Sequence, residues 1–119
     1  MLRIVLFRPD SENTHTPSRE CACCGSRYPL KRRGMRLLED DAIEGDVCPE
    51  CVLAGPARAA AKVRIRVRSL GETGGAAVDG VDRASWVRRL ERRALLLEET
   101  PAFSLAARQA AVRETRERR

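Results

Sequence analysis

The chain has 119 residues, 43% of them apolar but only 3% aromatic, with 34% charged and a formal net charge of +6. That length holds one domain or a small module with an appendage, and so few large side chains exclude a single big core, leaving a staple or a partner to supply order. No stretch approaches the roughly 20 apolar residues of a membrane span, and "MLRIVLFRPD" is too short in its apolar part for a secretory leader, so the expected location is cytoplasmic and no membrane role is expected.

The first predicted element is a strand over Leu2–Phe7, "LRIVLF". A polar connector, "DSENTHTPSRE", holds His15, the one histidine, which reads as a solvated loop residue. After a first cysteine pair, "SRYPLKRRG" reads as loop and turn with a basic cluster at Lys31, Arg32 and Arg33. "MRLLEDDAIEGDV" predicts a hairpin: Met35–Leu38, an acidic turn at Glu39–Asp41, a return through Ile43 and a turn at Gly45-Asp46. A second cysteine pair follows.

Residues 57–70 admit two readings. Pro56 suits a helix start and Gly71 a helix stop, yet Val63, Ile65 and Val67 alternate with Arg64, Arg66 and Arg68 as a strand would. The alanine run favours the helix. "GETGGAAVDGVD" reads as a flexible linker. Asp82 can cap a helix over Arg83–Glu99, with Trp86, Val87, Leu90, Ala94 and Leu97 on one stripe. Thr100 as cap and Pro101 in the first turn predict a last helix, with Phe103, Ala106, Ala107, Ala110 and Ala111 on one face. These small residues would let the last two helices pack as an antiparallel hairpin.

Four of the five cysteines stand as Cys21-x-x-Cys24 and Cys48-x-x-Cys51. Thiolates three positions apart across a tight turn can face one ion at about 2.3 Å, and Gly25 supplies the freedom such a turn needs. Two corners make a closed four-thiolate site, which is structural rather than catalytic. Two disulfides are the competing reading, disfavoured by the odd fifth cysteine and the absence of a leader. A thioredoxin-like redox pair lacks its surrounding β-α-β pattern. Cys23 reads as a turn residue, or as an alternative ligand or oxidation-sensitive thiol.

The pattern C-x-x-C-G … C-P-x-C over residues 21–51 resembles the zinc-ribbon and treble-clef zinc-finger families. The resemblance implies one structural Zn²⁺ on Cys21, Cys24, Cys48 and Cys51, and a nucleic-acid or protein partner. In treble clefs the second pair opens a helix; here Gly55-Pro56 would interrupt it.

The resulting expectation is a small α+β fold: a four-cysteine zinc-ribbon or treble-clef-like module with its N-terminal strand and basic helix over 1–70, a linker over 71–82, and a helical hairpin with a basic tail over 83–119. No H-x-E, H-E-x-x-H, phosphate-binding loop or G-x-S-x-G motif is present, so neither an enzyme nor a small-molecule substrate is expected. Residues 1–51 carry 8 basic and 9 acidic side chains and residues 52–119 carry 15 and 8, which places a polyanion contact mainly in the second part. Its candidates are Lys62, Arg64, Arg66, Arg68, Arg88, Arg89, Arg92 and Arg93, with Lys31, Arg32 and Arg33 near the metal. Arginine suits bidentate phosphate contact, but four aromatics leave little for base stacking, and DNA and RNA are not distinguished. The alternative is a protein-docking or self-associating module presenting Trp86, Leu95 and Leu96.

Overall fold

The computed structural model describes residues 2–8, 18–30, 33–73, 77–78 and 81–117. In chain order these form β1 (Leu2–Phe7), β2 (Ser18–Glu20), β3 (Arg27–Pro29), β4 (Gly34–Glu39), β5 (Ala42–Asp46), α1 (Pro49–Ala54), α2 (Pro56–Thr73), β6 (Ala77–Val78), β7 (Val81–Asp82), α3 (Arg83–Glu98) and α4 (Leu105–Glu117). His15, Lys31 and Arg32, parts of the expected linker and the last two residues lie outside the described residues. Among the described residues, no helix is long and apolar enough to cross a membrane.

β1, β4 and β5 make an antiparallel sheet in that spatial order. Strand alternation puts Leu2, Ile4 and Leu6 on one face of β1, opposite Glu39, Leu37 and Met35 of β4. Met35 and Leu37 are wholly buried, so this face is the sheet's contribution to the core. At the sheet's end Phe7 stands opposite Gly34. A Cβ on Gly34 would come within 2.1 Å of the Phe7 ring, so glycine there is what lets the ring lie flat across β4. The Arg36 guanidinium covers the ring at 4.1 Å from its centroid, a cation–π contact. The expected acidic turn is present, with Asp40 at φ 53°, a conformation that aspartate tolerates better than most residues.

Residues 56–73 are helical, as the alanine run requires. Gly55, at φ 96°, separates α1 from α2, so the helix opened by the second cysteine pair is interrupted where the sequence indicates.

α3 and α4 do not form the expected hairpin. α3 lies along α2, while α4 lies along α1 and reaches β1. The stripe of Leu90, Ala94 and Leu97 is fully buried, and so are Ala107 and Ala111 of α4. All belong to the same buried cluster as Met35, Val47 and Val63. The small residues of α4 therefore allow close approach to the short helix α1, a partner the sequence pattern could not name. The start of α4 is also displaced. Thr100 donates its hydroxyl to the Leu96 carbonyl at 2.8 Å, and Ser104 is the cap, its Oγ accepting the Ala107 N–H at 3.2 Å. Residues 101–104 form no regular element, and Phe103 enters the core from that connector, 5% exposed.

Candidate metal centre

The first cysteine pair sits in the turn between β2 and β3. The Cys21 N–H donates to the Ser26 carbonyl at 2.9 Å and the Gly25 N–H returns to the Cys21 carbonyl at 3.0 Å. Gly25 closes the loop at φ 79°, a conformation costly for any residue with a Cβ. This loop docks on the end of β5: Ala22 N–H donates to the Asp46 carbonyl at 2.7 Å. Gly45 makes room, since a Cβ there would lie 3.0 Å from that of Ala22.

The second pair sits at the start of α1. Cys48 is the residue before the helix, with extended backbone (φ −72°, ψ 155°), and Pro49 follows in the first turn, where its fixed φ suits a helix start. Cys51 N–H donates to the Cys48 carbonyl at 3.1 Å, so one turn of helix puts both thiols on the same side.

The two corners bring all four sulfurs within 4.8 Å of one another. Sγ of Cys21 and Cys51 are 3.7 Å apart, and those of Cys24 and Cys48 are 3.8 Å apart. A tetrahedral ion bound at about 2.3 Å per sulfur requires an edge of about 3.8 Å, so the donor set has the size and softness of a four-thiolate metal site. All five cysteines are free thiols, which leaves the four available as ligands.

The surroundings favour negative charge on sulfur. Sγ of Cys21 accepts the backbone N–H of Cys23 and that of Cys48, each at 3.3 Å. Hydrogen bonding with Cys23, Cys48 and Cys51 drives its thiol far below the usual range. Cys48 and Cys51 are pushed upward, first by their hydrogen bonds to Cys21, with burial adding to the effect. One anion is thus accommodated by the protein alone, and four together need a cation between them. Lys62 of α2 points its ammonium at Sγ of Cys51, 3.8 Å away. Partial burial works against its charge, but the thiolates of Cys51, Cys24 and Cys48 hold its pKa above the ordinary lysine value.

Cys23 lies in the turn of the first corner, as expected, but inside it rather than at the surface. It is 0% exposed, its thiol pushed up by hydrogen bonding to Cys21 and by burial. It belongs to the buried core cluster, and its neighbour Cys24 is the one that joins the four-sulfur group.

Two arginines grip the same loop from outside. Arg66 of α2 donates to the Ala22 carbonyl at 3.1 Å and to Glu20 at 3.3 Å. Arg93 of α3 donates to the same carbonyl at 2.7 Å and to the Glu44 carbonyl at 3.2 Å. Sequence reasoning grouped both with phosphate-binding candidates, and the signal for an inward role was legible. Arg93 falls on the stripe of Leu90, Ala94 and Leu97, where a charge that is 3% exposed needs buried partners.

The remaining candidates divide by what they touch. Arg64 pairs with Glu98, Nε at 3.2 Å, and Arg92 pairs with Glu39. Arg68, Arg88 and Arg89 are exposed, with Arg88 bonded to the Ser85 hydroxyl at 3.1 Å and Arg89 over the Trp86 ring at 5.5 Å. The Arg33 backbone N–H donates to Glu114 at 2.8 Å, and its side chain is exposed. Trp86 and Leu96 are partly buried against the core, and Leu95 remains 54% exposed.

Fold and site together define a small α+β protein with four cysteines clustered so that they could hold one metal ion. No family model, curated protein or solved structure matches the chain.

Proposed function

We propose that the chain is a non-catalytic structural-zinc protein of treble-clef type, contacting nucleic acid through exposed arginines as an accessory part of a larger assembly. The observation that carries it is the sulfur cluster, whose 3.7 and 3.8 Å edges suit tetrahedral zinc. A cysteine loop, then the β4–β5 hairpin, then a helix bearing the second pair follows the treble-clef order. Once four thiolates fill the coordination sphere, no position is left for a substrate.

Arg68, Arg88 and Arg89 support the nucleic-acid part. They project from α2 and α3, and phosphate contact needs only such cations. The test is fluorescence anisotropy of the zinc-loaded chain with mixed-sequence DNA and RNA at two salt concentrations. Binding should fall steeply with salt, and Arg88→Glu with Arg89→Glu should flatten that dependence. Absence of binding at low salt sinks this part and leaves the zinc reading standing.

A second reading, a protein-docking module, draws support from Leu95. It predicts a dimer or hetero-complex by light scattering that Leu95→Asp disrupts.

A further inference from the structure

Between β1 and α4 runs an open groove of about 530 Å³, within the usual size of small-ligand sites. One stripe of α4 forms its wall: Ala106, Gln109, Ala110, Arg113 and Glu114, spaced three and four apart so that they share a face. Leu6 and Arg8 close it from the β1 side, and Arg33 from the entry to β4. Three chain segments distant in sequence thus deliver three guanidinium groups to one concavity.

These arginines differ from those on α2 and α3. Arg64, Arg66, Arg92 and Arg93 each have a carboxylate partner. Among the described residues no ion pair engages Arg8, Arg33 or Arg113, and all three are exposed. Glu114, the one acid lining the groove among the described residues, is 3% exposed and accepts the Arg33 backbone N–H at 2.8 Å. It pins the backbone at residue 33, whose side chain is exposed. Among the described lining residues the cations outnumber this acid three to one. Clustered like charges repel unless an anion joins them, and a guanidinium fork matches phosphate oxygens.

We propose that this groove binds a compact polyphosphate ligand of the nucleoside di- or triphosphate class. Arg8, Arg33 and Arg113 hold the phosphates, Gln109 offers a hydrogen-bonding edge, and Leu6, Ala106 and Ala110 supply an apolar floor. Among the described residues no aromatic side chain lines the groove, so phosphate rather than base stacking carries the affinity. Different bases are therefore accepted alike. The groove lies on other elements than the surface proposed above and does not rest on that reading.

The test titrates the metal-loaded full chain into a fluorescent N-methylanthraniloyl ADP at low salt, followed by anisotropy. Saturable binding is expected, with Arg8→Gln and Arg113→Gln each weakening it roughly tenfold, the loss of one charge-assisted contact. Both are surface positions, and circular dichroism checks that the variants stay folded. Arg58→Gln, exposed on α2 and outside the groove, should bind as the parent does. Pyrophosphate should displace the probe and adenosine should not. Absence of binding, an equal loss in Arg58→Gln, or displacement by adenosine overturns the proposal. So does a 5′-phosphorylated oligonucleotide that displaces the probe at far lower concentration than ADP, which would make the ligand a strand end.

Discussion

Nη1 of Arg93 lies 2.7 Å from the carbonyl oxygen of Ala22, 71 positions earlier in the chain. Arg66 reaches the same oxygen from α2 at 3.1 Å, so a carbonyl between two ligand cysteines is held by both long helices. The metal loop is therefore clamped from outside as well as shaped from within.

Arg93→Met keeps the aliphatic stem and removes the fork. It should cost about 2–3 kcal/mol, since Glu44 loses its charged partner and Ala22 loses its shorter bond. The midpoint of urea unfolding should fall with little change in slope. Arg93→Lys should recover little, because one ammonium cannot span Ala22 and Glu44 together. A parent-like midpoint for Arg93→Met would remove the clamp from this account.

Chelation of the metal should unfold the chain, seen as loss of far-ultraviolet ellipticity, because so much of the buried cluster adjoins the cysteines. Cys24→Ser and Cys48→Ser should behave likewise. Cys23→Ser should retain stoichiometric metal by elemental analysis but lose about 1–3 kcal/mol, the cost of a hydroxyl in a dry site. Cys23→Ala should lose less. Loss of metal in Cys23→Ala would make Cys23 a ligand.

Lys62→Met should lower metal affinity roughly tenfold in a chelator competition, the usual scale for residues that support a ligand. The ammonium 3.8 Å from Cys51 offsets thiolate charge that the backbone amides at Cys21 do not reach. Lys62→Arg should preserve most of the effect. Unchanged affinity in Lys62→Met would show that the contact is incidental.

Gly34→Ala should destabilise by about 1–3 kcal/mol, as overpacking does, because the new methyl meets the Phe7 ring. Phe7→Leu removes the obstacle, so the double variant should be less destabilised than the two single losses added together. Strict additivity would place the strain elsewhere.

Tyr28 is 3% exposed and donates to the Val47 carbonyl at 3.3 Å. Burial, with the Asp46 carboxylate adding, raises its pKa well above the ordinary phenol value. A raised folded pKa means stability is fully present below the unfolded value of about 10 and is lost as pH rises from there toward the folded value. Denaturation midpoints should therefore fall above about pH 10 more steeply in the parent than in Tyr28→Phe. Parallel curves would assign the alkaline loss to other groups.

Much of this was readable from local signals. Leu2–Phe7, the hairpin through Asp40 and the helix after Pro56 follow from a short apolar run with β-branched residues, turn chemistry and the alanine run. The cysteine spacing indicated the cluster, because two short corners admit few geometries. What was not readable depends on distant partners. The pairing of β2 with β3 involves three residues on each strand, too few for a periodic signal. The small face of α4 is equally consistent with α3 or α1 as its neighbour, and packing chose α1. Arg66 looked like surface charge because its acceptors, the Ala22 carbonyl and Glu20, lie in a distant loop, whereas the place of Arg93 on the Leu90 stripe was a legible sign that went unused. The groove at Arg8, Arg33 and Arg113 joins three remote segments that no local window covers.

The grip of α3 on Ala22 also bears on the order of events during synthesis. Every ligand cysteine leaves the ribosome well before Arg93 does. A nascent chain that has only reached the end of α2 already carries all four thiols, yet their loop is secured from one side, by Arg66 alone. Final rigidity arrives late, so a chain cut short before Arg93 would keep its sulfur cluster in a slack loop, open to quality-control proteases.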